Sequence, residues 1–133
     1  MPERELREEI AAGVQFWGWH EDSGPIIAVM GIQKVQDVTL IRHAYVLPLH
    51  QSRGIGGKLL STLVGQSSGK LLVGTWAAAS WAIRFYQRHG FRLVPGDEKD
   101  RLISSYWNIS ERQRETSVVL IYAGTPTGGR GTP

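Results

Sequence analysis

The sequence contains no cysteine. That excludes disulfide staples, thiolate metal sites and a cysteine nucleophile. It has no apolar run near the ~18 residues a membrane-spanning helix needs. Its first ten residues, MPERELREEI, are charged and lack the apolar core of a secretory signal, so a cytoplasmic protein is expected. The four histidines, His20, His43, His50 and His89, form no H-x-x-x-H or H-E-x-x-H pattern, and no metal site is expected. No G-x-S-x-G elbow occurs, which argues against a serine hydrolase. Charge of one sign is scarce too. A net charge of +3 favours anionic partners only weakly. The basic residues are scattered without an aromatic RNA-binding pattern, which counts against nucleic acid despite the GGRG near the end.

What is present is the material of one globular domain. The chain has 133 residues, 41% of them hydrophobic and 20% charged. That length supports a single core. The expected organisation is one domain over residues 1–122 and a disordered tail over 123–133, AGTPTGGRGTP. Leu6 and Ile10, four apart in a charged stretch, predict a helix over 3–12 that Gly13 ends. The stretches 14–19, 26–33 and 38–47 are β-branched, aromatic or apolar and are joined by short turns. They predict an antiparallel meander. Ile55, Leu59, Leu63 and Leu60, Val64 predict a helix over 55–65, and 70–76 a buried strand. A second helix is predicted over 77–91 with Trp81, Phe85 and His89 on one face. A strand follows at 91–95, then a helix from an Asp97 cap to Trp107, and a strand at 116–122.

The stretch HQSRGIGGKLL, residues 50–60, places three glycines where an apolar helix begins. Glycine inside a helix costs about 1 kcal/mol against alanine. A glycine turn feeding a helix N-terminus offers convergent N–H groups and partial positive charge, a site for an anion such as a phosphate. Two phosphate motifs fail here. A P-loop would need a glycine at Ser52 and Ser or Thr at Leu59. A dinucleotide fingerprint would need a glycine at Leu59 and an acidic residue about 20 positions on.

A third motif fits. Gln51-Ser52-Arg53-Gly54-Ile55-Gly56 matches Q/R-x-x-G-x-G/A, and AIRFYQRHGF, residues 82–91, matches A-x-x-F-Y-x-x-x-G-F. In this order, with one strand between them, they resemble the two signatures of the GNAT superfamily of N-acetyltransferases. The resemblance covers residues 14–95. It implies a mixed, mostly antiparallel α/β sheet of the α+β type flanked by helices, here lacking the family's usual first strand and helix. It implies acetyl-CoA as cofactor, lying between strands 38–47 and 70–76, with its pyrophosphate on Gln51, Ser52, Arg53, Gly54, Ile55, Gly56, Gly57 and Lys58. The arm of the cofactor would run along Tyr45, Val46 and Leu47, whose amides would also serve the thioester carbonyl, with Phe85 beside it. Tyr86 matches the tyrosine that hydrogen-bonds or protonates the leaving sulfur. Ala79 stands where asparagine often contacts the cofactor arm.

The implied reaction is direct transfer of an acetyl group to a primary amine of a small molecule or peptide. His43, on the strand leading to the cofactor, is the first candidate for general base. Two other functions stay open: a catalytically weak acyl-CoA-binding module and a nucleic-acid-binding protein. An uncovered edge strand at VQFWGW is a liability that a homodimer would cover, with Trp17, Trp19 and strand 116–122 as candidate contacts.

Overall fold

A computed structural model describes residues 3–47, 54–67 and 69–124. The chain divides into two compact units, residues 1–69 and 70–133. Residues 125–133, most of the expected tail, lie outside the described residues.

The first unit runs α1 (Glu3–Ala11), β1 (Val14–His20), β2 (Ile26–Val35), β3 (Val38–Val46) and α2 (Ile55–Gln66). The three strands form the predicted antiparallel meander, β1 on β2 and β2 on β3. A two-residue turn at Gln36 and Asp37 sets Val35 opposite Val38. The strands are longer than their apolar runs because the ladder continues through Gln33, Lys34 and His20, whose side chains face outward or to partial cover. α2 packs on the sheet through Ile55, Leu59, Leu60 and Leu63, each at most 2% exposed, opposite Met30, Val38 and Leu40 in the same core. The helical spacing read from the sequence therefore picks out the buried face.

The second unit runs β4 (Lys70–Trp76), α3 (Ser80–Arg88), β5 (Phe91–Leu93), α4 (Gly96–Tyr106), α5 (Glu111–Thr116) and β6 (Ser117–Tyr122). β6 pairs antiparallel with β4 on one side and β5 on the other. It is the middle strand of its unit, with both of its ladders taken within that unit. Its core is Leu72, Val73, Val119, Leu120, Phe91 and Ile103.

Several expectations are corrected in this unit. α3 is shorter than predicted, because Ala77–Ala79 turn on Ala79 N–H donating to the Trp76 carbonyl at 2.9 Å. Its buried residue is Tyr86, and Trp81 is 64% exposed rather than on an inner face. Pro95, not Asp97, occupies the N-cap of α4; Asp97 sits in the first turn, where its charge complements the helix dipole. α5 was not anticipated. Ser110 and Gln113 form a capping box, Gln113 N–H donating to Ser110 Oγ and Ser110 N–H to Gln113 Oε1, both at 3.1 Å. The S-x-x-Q of SERQ is the local signal for it.

Gly90 closes the turn from α3 into β5 at φ +93°. A Cβ there would overlap the Gly124 carbonyl oxygen, and the Gly90 carbonyl accepts from Ala123 N–H at 2.8 Å. Gly90→Ala is therefore expected to cost about 2–4 kcal/mol, combining left-handed strain with overpacking. Urea denaturation checks this; an unchanged midpoint would mean the turn relaxes freely.

Candidate active site

The glycine turn reaches α2 through Gly54, whose φ is +77°. Among the described residues nothing lies within 4 Å of where its Cβ would stand, and its positive φ makes the demand for glycine there conformational. Gly54 is the N-cap, without a side-chain cap and without an acidic residue in the first turn. The first bond of the helix is Lys58 N–H to the Gly54 carbonyl, at 3.1 Å. The N–H groups of Ile55, Gly56 and Gly57 therefore have no acceptor within the helix. Lys58, expected among the pyrophosphate donors, has its amide committed; its side chain reaches Trp19, with Nζ 5.9 Å from the ring centroid. Gly56 and Gly57 lie in regular helix, where glycine gains no conformational advantage and costs about 1 kcal/mol each. Among the described residues no side-chain cap and no first-turn acid meets these amides, which fits a diphosphate. Gln51, Ser52 and Arg53 lie outside the described residues.

Upstream, β3 carries a bulge. Arg42 pairs with Gly31 and Tyr45 with Val29, so His43 and Ala44 together oppose Met30. His43 takes the left-handed conformation at φ 55°. The bulge re-aims the end of the strand. Leu47 N–H donates to the Ile27 carbonyl at 2.9 Å, which commits one of the three amides expected to serve the cofactor.

His43 Nε2 lies against the Glu9 carboxylate of α1. The same Glu9 oxygen stands 3.4 Å from the Arg42 guanidinium, whose other arm donates to Gln33 Oε1 at 2.8 Å. Gln33 in turn donates to the Ala12 carbonyl at 2.9 Å. An ionised carboxylate only accepts, so Nε2 carries the proton and Nδ1 of the neutral ring is left as acceptor. The Phe16 ring stacks on the imidazole, centroids 6.0 Å apart. Glu9 was not foreseen. Its place three residues after Leu6, on the apolar face of α1, was the available signal. Leu6, Ile10, Phe16, Val29 and residues 43–45 bound a cavity of about 590 Å³ over this cluster. Trp17 and Trp19, expected as exposed contacts, are half-buried, and their indole N–H groups are enclosed without a partner among the described residues.

In the second unit, Tyr86 is 5% exposed. Phe85 and Phe91 meet its ring edge-on, at 5.1 and 5.3 Å. Burial pushes its phenol up to about 12 from the usual 10. Phe85 also faces the His89 ring at 4.7 Å, and its carbonyl lies 2.8 Å from His89 Nδ1. Ala79 is buried at the N-terminus of α3.

The buried phenol has a consequence for alkaline stability. The unfolded chain releases this proton near pH 10, the folded protein near 12. The contribution is whole below pH 10 and is lost as pH rises toward 12. Between pH 8 and 11 the protein is expected to lose about 1.4 kcal/mol more stability than Tyr86→Phe. Parallel denaturation curves test this; identical losses would contradict it.

A family model described as Acetyltransferase (GNAT) domain matches residues 12–93. The chain belongs to the GNAT family of acetyltransferases, and it is an acyltransferase. It is 29% identical over 105 residues to the peptidyl-lysine N-acetyltransferase YiaC of Escherichia coli strain K12, the match taking in 79% of this chain and 68% of that protein. Its fold is similar to a GNAT acetyltransferase from Elizabethkingia anophelis with acetyl-CoA bound, with a TM-score of 0.68, 22% identity, and 92% and 83% of the two chains covered. It is also similar to the ribosomal-protein-S18-alanine N-acetyltransferase of Escherichia coli, with a TM-score of 0.67, 16% identity, and 98% and 83% covered. Among the described residues no helix is long and apolar enough to cross a membrane.

Proposed function

We propose that the protein transfers the acetyl group of acetyl-CoA directly to a primary amine. The observation that carries this is the helix start at Gly54–Gly57: a left-handed N-cap followed by two helical glycines, uncapped and free of acid. Ile55, Gly56 and Gly57 would hold the diphosphate through their amides. Acetyl-CoA supplies an activated acetyl carbonyl and a thiol leaving group.

His43 receives the proton of the attacking amine at Nδ1. Glu9 holds the ring from the other side, fixes its tautomer and stabilises the imidazolium that results. Tyr86 donates a hydrogen bond from its phenol to the departing sulfur. With its acidity near 12, complete transfer of its proton to a thiolate of ordinary acidity would be uphill by about 5 kcal/mol. Tyr86 therefore acts as a donor that keeps its proton, and solvent protonates the released thiolate. The amines named for the two similar enzymes, a peptidyl lysine and an alanine of a ribosomal protein, are both primary, which supports this acceptor class.

Acetyl-CoA at 100 times its Kd is expected to raise stability by about 2.7 kcal/mol. Amine-dependent thiol release should accompany it. Stabilisation without turnover across an amine panel would leave only a binding module, and the absence of both would overturn the reading.

A further inference from the structure

We infer that the acceptor carries its amine on an apolar aliphatic or aromatic body seated in the cavity beside His43. This rests on the reading of His43 as base. The cavity, about 590 Å³, lies within the first unit and has the size of a small-molecule site. Leu6 and Ile10 of α1, Phe16 of β1 and Val29 of β2 line it together with His43, Ala44 and Tyr45 of β3. Leu6 is 37% and Ile10 55% exposed, one helical turn apart, so both present apolar surface that an occupant would cover. Of the lining side chains only those of His43 and Tyr45 bear polar atoms. A substrate carrying a carboxylate, a phosphate or several hydroxyls would leave them without partners there, and burying an unpaired polar group costs several kcal/mol. The polar end is placed to suit an amine. Glu9 lies across the imidazole, and Arg42 shares its carboxylate, so the groups bearing on His43 are Glu9, Arg42 and the Tyr45 phenol of the same wall.

An apolar body in this seat brings its amine to the bulge, where the strand end meets the proposed course of the cofactor arm. The nitrogen lone pair forms the C–N bond to the acetyl carbonyl carbon, and the C–S bond breaks with its electron pair leaving on sulfur. The ammonium proton passes to His43 Nδ1, and the sulfur takes a proton from solvent. Acetylated amine and free CoA are the products.

The test is initial rates of thiol release by the full chain with acetyl-CoA and four amines: phenethylamine, hexylamine, ethanolamine and Nα-acetyl-lysine methylamide. For the first two, kcat/KM is expected to exceed that for the last two by at least about tenfold. Ile10→Asp places a charge in the exposed part of the wall. It should shrink that advantage below about threefold while acetyl-CoA affinity stays within about twofold. Preference for ethanolamine or the lysine derivative overturns the inference. So does an advantage that survives Ile10→Asp, or acetyl-CoA binding without acetylation of phenethylamine. A dimer that Ile10→Asp dissociates without changing amine preference would assign the groove to a second copy and overturn it equally. Failure to bind acetyl-CoA at all would instead remove the underlying function, and this inference with it.

Discussion

Replacing Tyr86 by phenylalanine is expected to lower kcat about a hundredfold while leaving the Kd of acetyl-CoA within about twofold. The substitution removes one oxygen from a side chain that is 5% exposed and fixed by Phe85 and Phe91, so the ring stays where it is. A hydrogen bond to sulfur strengthens as negative charge develops there, which places its loss on the rate and not on ground-state binding. A pKa pushed up to about 12 sharpens the expectation. A phenol that kept its proton throughout would leave no signature of its own in the pH-rate profile below about pH 10, so wild type and Tyr86→Phe should differ by a constant factor across neutral pH. Equal losses in rate and in cofactor affinity would assign Tyr86 to binding. An unchanged rate would reduce it to packing.

Gly56→Ala is expected to move two properties in opposite directions. Position 56 is the second residue of α2, in ordinary helical conformation. Alanine there should raise stability by up to about 1 kcal/mol, since the helix no longer carries a glycine. The Cβ of a helical residue tilts toward the helix N-terminus, so the same methyl group would crowd a diphosphate seated on the amides of Ile55, Gly56 and Gly57. Affinity for CoA should fall at least about tenfold, or 1.4 kcal/mol. Gly54→Ala is a different experiment. Its φ of +77° makes the change strained in itself, so a loss of binding there would not separate fold from site.

How far these residues could be read in advance follows from the range of the forces involved. The glycine turn, the buried face of α2 and the strand at 70–76 were legible because each depends on neighbours a few positions away. α5 was equally local, its capping box written in Ser110 and Gln113, and only the signal was passed over. The spacing of Trp81, Phe85 and His89 along α3 did not mark its buried side, which is that of Tyr86, while Trp81 is exposed. The bulge had no such mark. His43 and Ala44 sit in a run of strand-forming residues, and only pairing with β2 shows that two of them oppose Met30. Glu9 and His43 meet across 34 positions of sequence, beyond anything periodicity reports. The amides of Leu47 and Lys58 were assigned to the cofactor because a motif names residues without saying which of their bonds the fold has already used.

The claim on which the mechanism stands is that the main-chain amides of Ile55–Gly57 hold the diphosphate of the cofactor. Calorimetric titration of CoA and of pantetheine, which lacks the nucleotide and its phosphates, into the native protein and Gly56→Ala tests it most directly. The account predicts that CoA binding weakens at least about tenfold in the variant while pantetheine binding is unchanged. Equal weakening of both ligands, or no weakening of CoA, would contradict it.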